Sequence, residues 1–417
     1  HAIAKVFGKP EMAAHIPLPT ALKFGPDGRP ILGPMRMPSF CSGCPHSTST
    51  KLPEGSRALA GIGCHGMALL TSPHNTMTIS HMGGEGVMWV GQAPFTKEAH
   101  VFANMGDGTY FHSGFMAIRQ AVAAKANMTY KLLVNGFVSM TGGQPIDGEL
   151  SVPQIIRSLQ AEGVSEVVIV TDDVERVKLQ DIPAGIAVLP REQLDAVQRR
   201  LRTQGGTSVL IYDQPCATER RRLRKRGKWA DPNVRTYIAP EVCEGCGDCG
   251  DASGCLSIEP LETPLGRKRK INQSSCNKDL SCVNGFCPSF VTIEGATPRR
   301  SKGHAQQTPA ALINETLPQP ERAPLDRPVG ILFTGIGGTG VVTVGAIVSM
   351  AAHLDGLAVS TLDVTGLAQK YGAVMTHMRI ARDVAFLTSA RLAMGEADVV
   401  VGCDLLVTAG DESLSRL

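Results

Sequence analysis

The chain has 417 residues, of which 43% are apolar, 19% are charged and 45 are glycine. This length predicts two to four compact units, and the composition excludes disordered and fibrous proteins. The net charge of +3 gives no reason to expect a nucleic-acid-binding protein. No apolar run of about 18 residues occurs and the N-terminus lacks the order of a signal peptide, so we expect a cytoplasmic protein without a membrane segment.

Short apolar runs alternate with glycine-rich loops after about residue 40, a pattern typical of parallel strands whose carboxyl ends carry ligand-binding loops. The chain starts at His1 and ends in GDESLSRL without closing an apolar strand, so we expect a fragment of a longer chain. We predict an α/β fold in five segments. They are a parallel-sheet domain (1–150), a small α/β extension (151–234), a cysteine-rich segment (235–295), a proline-rich linker (296–328) and an incomplete, Rossmann-like α/β domain (329–417).

The run HVFANMGDGTY places Asp107 between two glycines at the end of an apolar strand. A carboxylate there suits Mg²⁺, which takes oxygen ligands and shares them with phosphates that glycine lets approach the backbone. A second ligand should follow the next strand, and Asn135 in KLLVNGF lies 28 positions later. Taken alone, GDG and NG are also ordinary turn sequences.

Together these residues resemble the thiamine diphosphate motif, in which GDG is followed by Asn. The resemblance implies that Asp107, the Asn135 amide oxygen and the Phe137 carbonyl hold Mg²⁺, with Gly108 and Thr109 beside the diphosphate. The usual second Asn of the motif is replaced by Gly136 in this chain.

Three further loops, CSGCPHSTST (41–50), GIGCHGM (61–67) and SMTGGQP (139–145), resemble the thiamine diphosphate domain of the 2-oxoacid:ferredoxin oxidoreductases, most closely the fused-chain indolepyruvate type. In that family the activating glutamate comes from another domain, so we expect it outside this chain and give Glu85 only a local role. A zinc half-site at Cys41 and Cys44 is the alternative. The cofactor-cavity candidates that the resemblance implies are Cys44, His46, Cys64 and His65.

The stretch EVCEGCGDCG has three cysteines at the spacing that bacterial ferredoxins use for a [4Fe–4S] cluster. The fourth ligand of that pattern is a distant cysteine followed by proline, and GFCPSF supplies it. Two zinc ribbons would instead prefer pairs of CxxC. The predicted ligands of the first cluster are Cys243, Cys246, Cys249 and Cys287.

Three more cysteines of the segment remain for a second cluster, one ligand short of the usual four. A second [4Fe–4S] cluster would have four ligands only if a non-cysteine residue or Cys216 supplied the fourth. We therefore expect one or two [4Fe–4S] clusters. The possible ligands of the second are Cys255, Cys276 and Cys282.

Upstream, ERRRLRKRGKW carries seven basic residues between Arg220 and Lys228. Such a run is either a docking patch for an acidic ferredoxin or a solvated helix face. In the last segment, FTGIGGTG precedes a helix and Asp363 follows it, which makes a weak dinucleotide fingerprint. The text after it, TGLAQKYGAVMTHMRI, instead resembles the gamma domain of the same oxidoreductase family.

The resemblance implies oxidative decarboxylation of a 2-oxoacid, an arylpyruvate such as indolepyruvate, to an acyl-CoA. Electrons would pass through the clusters to ferredoxin, and coenzyme A would take the acyl group. The full-length chain is expected to be a homo-oligomer. Two alternatives are a non-redox thiamine diphosphate decarboxylase or synthase, which the cysteines argue against, and an electron-transfer module with a degenerate thiamine site.

Overall fold

A computed structural model gives the architecture of most of the chain. The predicted proline-rich linker (296–328) lies almost wholly outside the described residues. The chain divides into two compact units, one from Ser39 to Gln319 and one of His1–Pro38 with Pro320–Leu417. The structure describes residues 36–72, 75–148, 150–285, 287–296 and 325–417, with the backbone of β1 (Lys23–Phe24) and β2 (Pro30–Ile31).

A seven-stranded sheet organises the larger unit, in the order β10-β9-β11-β6-β5-β3-β4 with every neighbouring pair parallel. The short hairpin of β7 and β8 lies outside that sheet. The strands up to residue 213 are β3 (Ala58–Ala60), β4 (Thr76–Ile79), β5 (Val101–Gly106), β6 (Met128–Val134), β7 (Phe137–Val138), β8 (Gln144–Pro145), β9 (Glu166–Thr171), β10 (Ala187–Pro190) and β11 (Thr207–Asp213).

Helices cover both faces of this sheet, which is why its central strands are buried throughout. Helix Val152–Ala161 begins with a capping box between Ser151 and Gln154. The α-helices of the unit are His46–Ser49, Ala68–Thr71, Val87–Gln92, Asp107–Thr109, Phe115–Ala123, Val152–Ala161, Val174–Lys178, Leu194–Thr203, Ala217–Lys225 and Asp248–Ser253. Its short 3₁₀ and π turns are Cys64–Met67, Ala93–Phe95, Tyr110–Gly114 (π), Arg191–Gln193 and Ser281–Val283.

One apolar cluster continues across the predicted boundary at residue 150. It joins Val101 and Tyr130 to Ile156, Ile169 and Ile211. Since β11 pairs with β6 as well as with β9, residues 151–213 complete the first sheet rather than extend it as a separate layer. Pairing between strands so distant along the chain leaves no local signal, which is why the sequence predicts a boundary at residue 150.

The cysteine-rich segment is built on two antiparallel pairs, β12 with β15 and β13 with β14. Ile238 and Ile271 form a small core with Cys243. The strands are β12 (Val234–Ile238), β13 (Ile258–Thr263), β14 (Gly266–Ile271) and β15 (Phe290–Glu294).

The C-terminal part has a four-stranded sheet in the order β17-β18-β16-β19. β18 is antiparallel to both neighbours, and only the β16–β19 pair is parallel, so the sheet is mixed and not Rossmann-like. The link between β17 and β18 is residues 365–372, too short for the crossover that parallel pairing needs. The elements are β16 (Val329–Ile336), helix Val341–Leu354, β17 (Ala358–Val364), turn Ala368–Lys370, β18 (Ala373–Ala381), turn Val384–Phe386, β19 (Val399–Gly402) and helices Leu405–Thr408 and Asp411–Leu414.

The predicted α/β class with a large parallel sheet is therefore confirmed. Among the helices that the structure describes, none combines the length and apolar composition needed to cross a bilayer.

Candidate functional site

Asp107 stands where β5 ends, with its side chain almost fully buried. Its Oδ1 accepts the Gly108 N–H at 2.9 Å, and its Oδ2 accepts those of Asn135 and Gly136 at 2.8 and 2.7 Å. Burial raises the pKa of Asp107 to about 6, and these three backbone N–H groups oppose the rise. Backbone N–H groups that follow two adjacent strands therefore hold the carboxylate. No basic side chain contributes to the shift of its pKa.

Asn135 follows β6, the neighbour of β5 in the sheet, so the two predicted ligands meet as the sequence indicated. The Asn135 Oδ1 accepts hydrogen bonds from the Phe137 N–H at 3.0 Å and from the Ser139 hydroxyl at 3.1 Å. The same hydroxyl lies 3.3 Å from the Phe137 carbonyl oxygen. The Asn135 and Phe137 oxygens, both predicted magnesium ligands, therefore lie within hydrogen-bond distance of the same Ser139 hydroxyl.

These residues fit a divalent cation. Among the described residues no basic side chain pairs with the buried Asp107 carboxylate, and the Asn135 and Phe137 oxygens point to a common position occupied by a hydroxyl donor. Asn135 can turn its oxygen to a cation only by giving up one of its two hydrogen bonds. Ser139 was not singled out from the sequence, although it stands in the quoted SMTGGQP loop.

A cavity of about 490 Å³ opens beside Asp107, between the loops that follow β3, β5 and β6. The hairpin β7–β8 closes one side through Met140 and Thr141. Its lining includes eight of the nine candidates for cofactor contact, namely His46, Cys64, His65, Asp107, Gly108, Thr109, Asn135 and Phe137.

Cys44 is the candidate that does not line this cavity. It packs with Phe40, Cys41 and Cys64 in a small buried cluster behind the wall. A cysteine of the Cys-Pro-His loop thus supports the cavity from outside, while His46 of the same loop reaches its surface.

His65 is buried in the cavity wall, with 1% of its surface exposed. Neither ring nitrogen has a hydrogen-bond partner among the residues that the structure describes. Burial lowers the pKa of His65 to about 4, so the ring is neutral at pH 7. A Cβ on Gly63 would lie 2.7 Å from its Nε2, so the ring position requires glycine there. His65 is ready to bind a polar group that enters the cavity.

Glu85 is fully buried but is not part of the cavity lining. Its Oε2 accepts the Gly83 N–H at 2.7 Å, and its side chain lies where a Cβ on Gly61 would clash at 2.3 Å. Burial raises the pKa of Glu85. These contacts agree with a local role in holding its own loop.

The four predicted ligands of the first cluster line one cavity of about 410 Å³. Burial raises the pKa of the Cys249 thiol, and the neighbouring thiols of Cys243, Cys246 and Cys287 raise it further. Cys246 and Cys287 are exposed to solvent. The structure thus places the CxxCxxC run and the distant cysteine before proline around one cavity, which Cys282 also lines.

The remaining three cysteines of the segment form a second group. Burial raises the pKa of Cys282 to about 12, and the nearby Cys255 and Cys276 thiols add to this shift. Cys216 lies elsewhere, at the start of helix Ala217–Lys225, where its N–H donates to the Asn135 carbonyl. In the described part of the chain, no three His, Cys, Asp or Glu side chains converge as ligands of a single metal ion.

Several arginines of the basic run make hydrogen bonds within the unit. Arg221 donates to the Ser275 carbonyl at 3.2 Å, and Arg224 donates to the Asn277 carbonyl at 2.8 Å. From the same helix, Arg222 donates to the Gly142 carbonyl at 2.7 Å beside the cavity hairpin. Helix Ala217–Lys225 therefore connects the cavity wall to the second cysteine group, and both interpretations of the run, a docking patch or a solvated helix face, stay predictions for its exposed residues. Exposed basic residues are Arg222, Lys225, Arg226 and Lys228.

The glycines of FTGIGGTG meet close packing at Gly335 and Gly337 and positive φ at Gly338 and Gly340. A Cβ on Gly337 would lie 2.0 Å from the Ala368 carbonyl oxygen, and Gly340 has φ +96° before helix Val341–Leu354. Asp363, the residue expected to bind ribose in a dinucleotide fold, accepts the Thr376 hydroxyl at 2.6 Å. The weak fingerprint thus has a structural origin.

Two family models match the chain, one in the parallel-sheet domain and one in the C-terminal part. The first, thiamine pyrophosphate enzyme, C-terminal TPP binding domain, matches residues 61–211. The second, pyruvate ferredoxin/flavodoxin oxidoreductase, matches residues 330–417.

Curated relatives carry related names. The indolepyruvate oxidoreductase subunit IorA of Thermococcus kodakarensis is 27% identical over 61% of this chain and 40% of that protein, and that of Archaeoglobus fulgidus is 28% identical over 61% and 39%. The match thus spans about two fifths of each relative. Subunit IorB of Thermococcus kodakarensis is 34% identical over 17% of this chain and 34% of its own length. A solved 2-oxoglutarate:ferredoxin oxidoreductase from Magnetococcus marinus is 18% identical, and the match covers 45% of this chain and 69% of that chain with a TM-score of 0.35.

Proposed function

Because this chain belongs to the 2-oxoacid:ferredoxin oxidoreductase family, we propose that the full-length protein oxidatively decarboxylates a 2-oxoacid with thiamine diphosphate as cofactor. A 2-oxoacid anion and coenzyme A would give an acyl-CoA, carbon dioxide, two electrons and one proton. One observation carries the proposal. The unit that holds the cavity at Asp107 also holds a cavity lined by five cysteines, so a reducing site and an electron acceptor could lie in one unit.

Asp107, Asn135 and Phe137 would hold Mg²⁺ at the floor of the cavity. Their three oxygens suit a cation that keeps its other positions for phosphate and water. Gly108 and Thr109 line the cavity next to Asp107, and we assign them contacts with the diphosphate. Burial of the carboxylate strengthens its attraction for the cation, because the local dielectric is lower than that of water.

The wall opposite the diphosphate site would orient the reacting part of the cofactor and the substrate. Bound thiamine diphosphate supplies the carbanion chemistry of decarboxylation. Neutral His65 offers one ring N–H and one acceptor nitrogen to polar groups there, with His46 and Cys64 on the same surface. Ile62 and Met82 give that part of the lining an apolar surface.

The cysteine segment would carry the electrons away in single steps. Cys243, Cys246, Cys249 and Cys287 would hold a [4Fe–4S] cluster, whose thiolates at Cys246 and Cys287 face solvent where an external acceptor can approach. We propose ferredoxin as that acceptor and coenzyme A as acyl acceptor. The names of the relatives support an arylpyruvate such as indolepyruvate as substrate. We further propose a cytoplasmic homo-oligomer.

Turnover of the anaerobically purified full-length protein tests the proposal. Several 2-oxoacids would be supplied with coenzyme A and a viologen dye, and both dye reduction and carbon dioxide would be measured. The proposal predicts coenzyme A-dependent dye reduction, fastest with an arylpyruvate. Carbon dioxide release without dye reduction would favour a non-redox thiamine enzyme. Iron without thiamine diphosphate binding would favour an electron-transfer module.

A further inference from the structure

Residue 279 occupies a particular position in the second cysteine group. Cys276, Asp279 and Cys282 repeat the spacing of Cys243, Cys246 and Cys249, with an aspartate where the first run has its middle cysteine. The group of Cys255, Cys276 and Cys282 is one ligand short of a cubane, and Asp279 stands at the position where that ligand would be expected.

The Asp279 side chain is already engaged with the parallel-sheet domain. Its Oδ1 accepts from Arg191 Nη1 at 2.6 Å and from Gln214 Nε2 at 2.7 Å, and its carbonyl oxygen accepts from Arg191 Nη2 at 2.6 Å. Its Oδ2 accepts the Ser281 N–H at 3.3 Å. The side chains of this ion pair are 12% exposed for Arg191 and 8% exposed for Asp279. Withdrawing the carboxylate would leave the buried guanidinium with only the more exposed Glu192, at 3.4 Å, as countercharge.

The backbone around Asp279 is also tied to the loop that precedes Cys44. A Cβ on Gly43 would lie 2.8 Å from the Asp279 Cβ, so the aspartate packs directly against that glycine. Two residues earlier, Asn277 Nδ2 donates to the Ser42 carbonyl at 2.7 Å. Residue 279 thus anchors the cysteine segment to the cofactor domain, a role that a cluster-bound side chain could not perform in the same orientation.

We propose that Cys255, Cys276 and Cys282 hold a three-iron [3Fe–4S] cluster, and that Asp279 is a positioning residue rather than an iron ligand. Three thiolates satisfy the three irons of such a cluster, whereas the fourth iron of a cubane would lack a protein ligand. This inference rests on the proposed function, because it requires that the segment binds iron and sulfide.

The test is the iron content and cluster type of the full-length protein, purified and reconstituted anaerobically with excess iron and sulfide. We expect about seven irons per chain, four in the first cluster and three in the second. The oxidised protein should also show the electron paramagnetic resonance signal of a three-iron cluster. Excess iron under reducing conditions also excludes oxidative damage, since a damaged cubane would regain its fourth iron.

Three variants sharpen the result. Asp279→Cys should raise the iron content to about eight irons per chain and remove the signal of the three-iron cluster. Asp279→Ala should leave the iron content at about seven. The matched control is Asp231→Cys, which adds a thiol at another aspartate, 2.7 Å from Lys278 Nζ, and should change neither number nor signal. If Asp279→Cys does not fold, the spectra of the wild type and of Asp279→Ala still show the type of the second cluster and whether Asp279 binds iron.

About eight irons in the wild type would overturn the three-iron cluster, and loss of iron in a folded Asp279→Ala variant would overturn the positioning role and make Asp279 a ligand. About four irons would overturn it too, since the second group would then be empty. Either result leaves the first cluster and the proposed function standing. A protein without iron would instead remove the proposed function itself.

Discussion

Lys131 gives a prediction that follows directly from burial. It lies in the middle of β6 with its side chain fully buried, its Nζ donating to the Lys51 carbonyl at 3.0 Å and lying 5.9 Å from the Phe102 ring centre. Burial lowers its pKa from 10.5 to about 7. At about 1.4 kcal/mol per unit, holding the charge inside costs up to about 5 kcal/mol at pH 7.

Lys131→Met removes that charge at similar volume. The change leaves the Lys51 carbonyl without its donor, at about 1–3 kcal/mol, so we expect a net gain of about 2–4 kcal/mol in the free energy of unfolding at pH 7. The folded pKa lies below the unfolded one, so the unfolded state binds more protons between pH 7 and 10.5. Wild-type stability should therefore rise with pH across that window, and the advantage of the variant should shrink by about 2 kcal/mol from pH 7 to pH 9.

Urea unfolding at the two pH values measures both quantities, with the buried Trp89 of the same unit as fluorescent reporter. Lys97→Met, at an exposed position, is the matched control and should leave the pH dependence unchanged. A Lys131→Met protein that is less stable than the wild type at pH 7, or that keeps the wild-type pH dependence, would refute the reasoning.

Two other changes test the cavity wall and the helix that supports the cysteines. Gly63→Ala should displace His65, whose Nε2 would lie 2.7 Å from the new Cβ, and weaken thiamine diphosphate binding at least about tenfold in calorimetry, whereas Gly91→Ala, with open space around it, should not. Arg224→Met should speed iron loss to a chelator about fivefold or more, since it strips a donor from the Asn277 carbonyl, and equal rates in the exposed control Lys225→Met would contradict this.

The proximity of Asp107 and Asn135, the proposed magnesium ligands, could be predicted because its signal is local. Asp107 and Asn135 each follow an apolar run of strand length, and 28 positions leave room for one helix and a returning strand. Parallel neighbours then bring the two strand ends together. The first cysteine group was predictable for a similar reason, since cluster ligation imposes a spacing that the chain displays.

The remainder depends on contacts between distant residues. Nothing near Arg224 in the sequence indicates that it binds the Asn277 carbonyl, and a run of basic residues has the same composition whether it faces solvent or a neighbouring segment. The pairing of β11 with β6 also lacks a local signal. Asp279 illustrates both limits, because its spacing suggests an iron ligand whereas its ion pair with Arg191 directs it to the sheet domain.

Calorimetric titration of the full-length protein with thiamine diphosphate, with and without Mg²⁺, tests the central claim most directly. Binding should require Mg²⁺ and weaken at least about 100-fold in Asp107→Ala. The control Asp147→Ala removes another carboxylate from the same cavity wall and should bind within about threefold of the wild type. Binding that survives both Asp107→Ala and removal of Mg²⁺ would contradict the account.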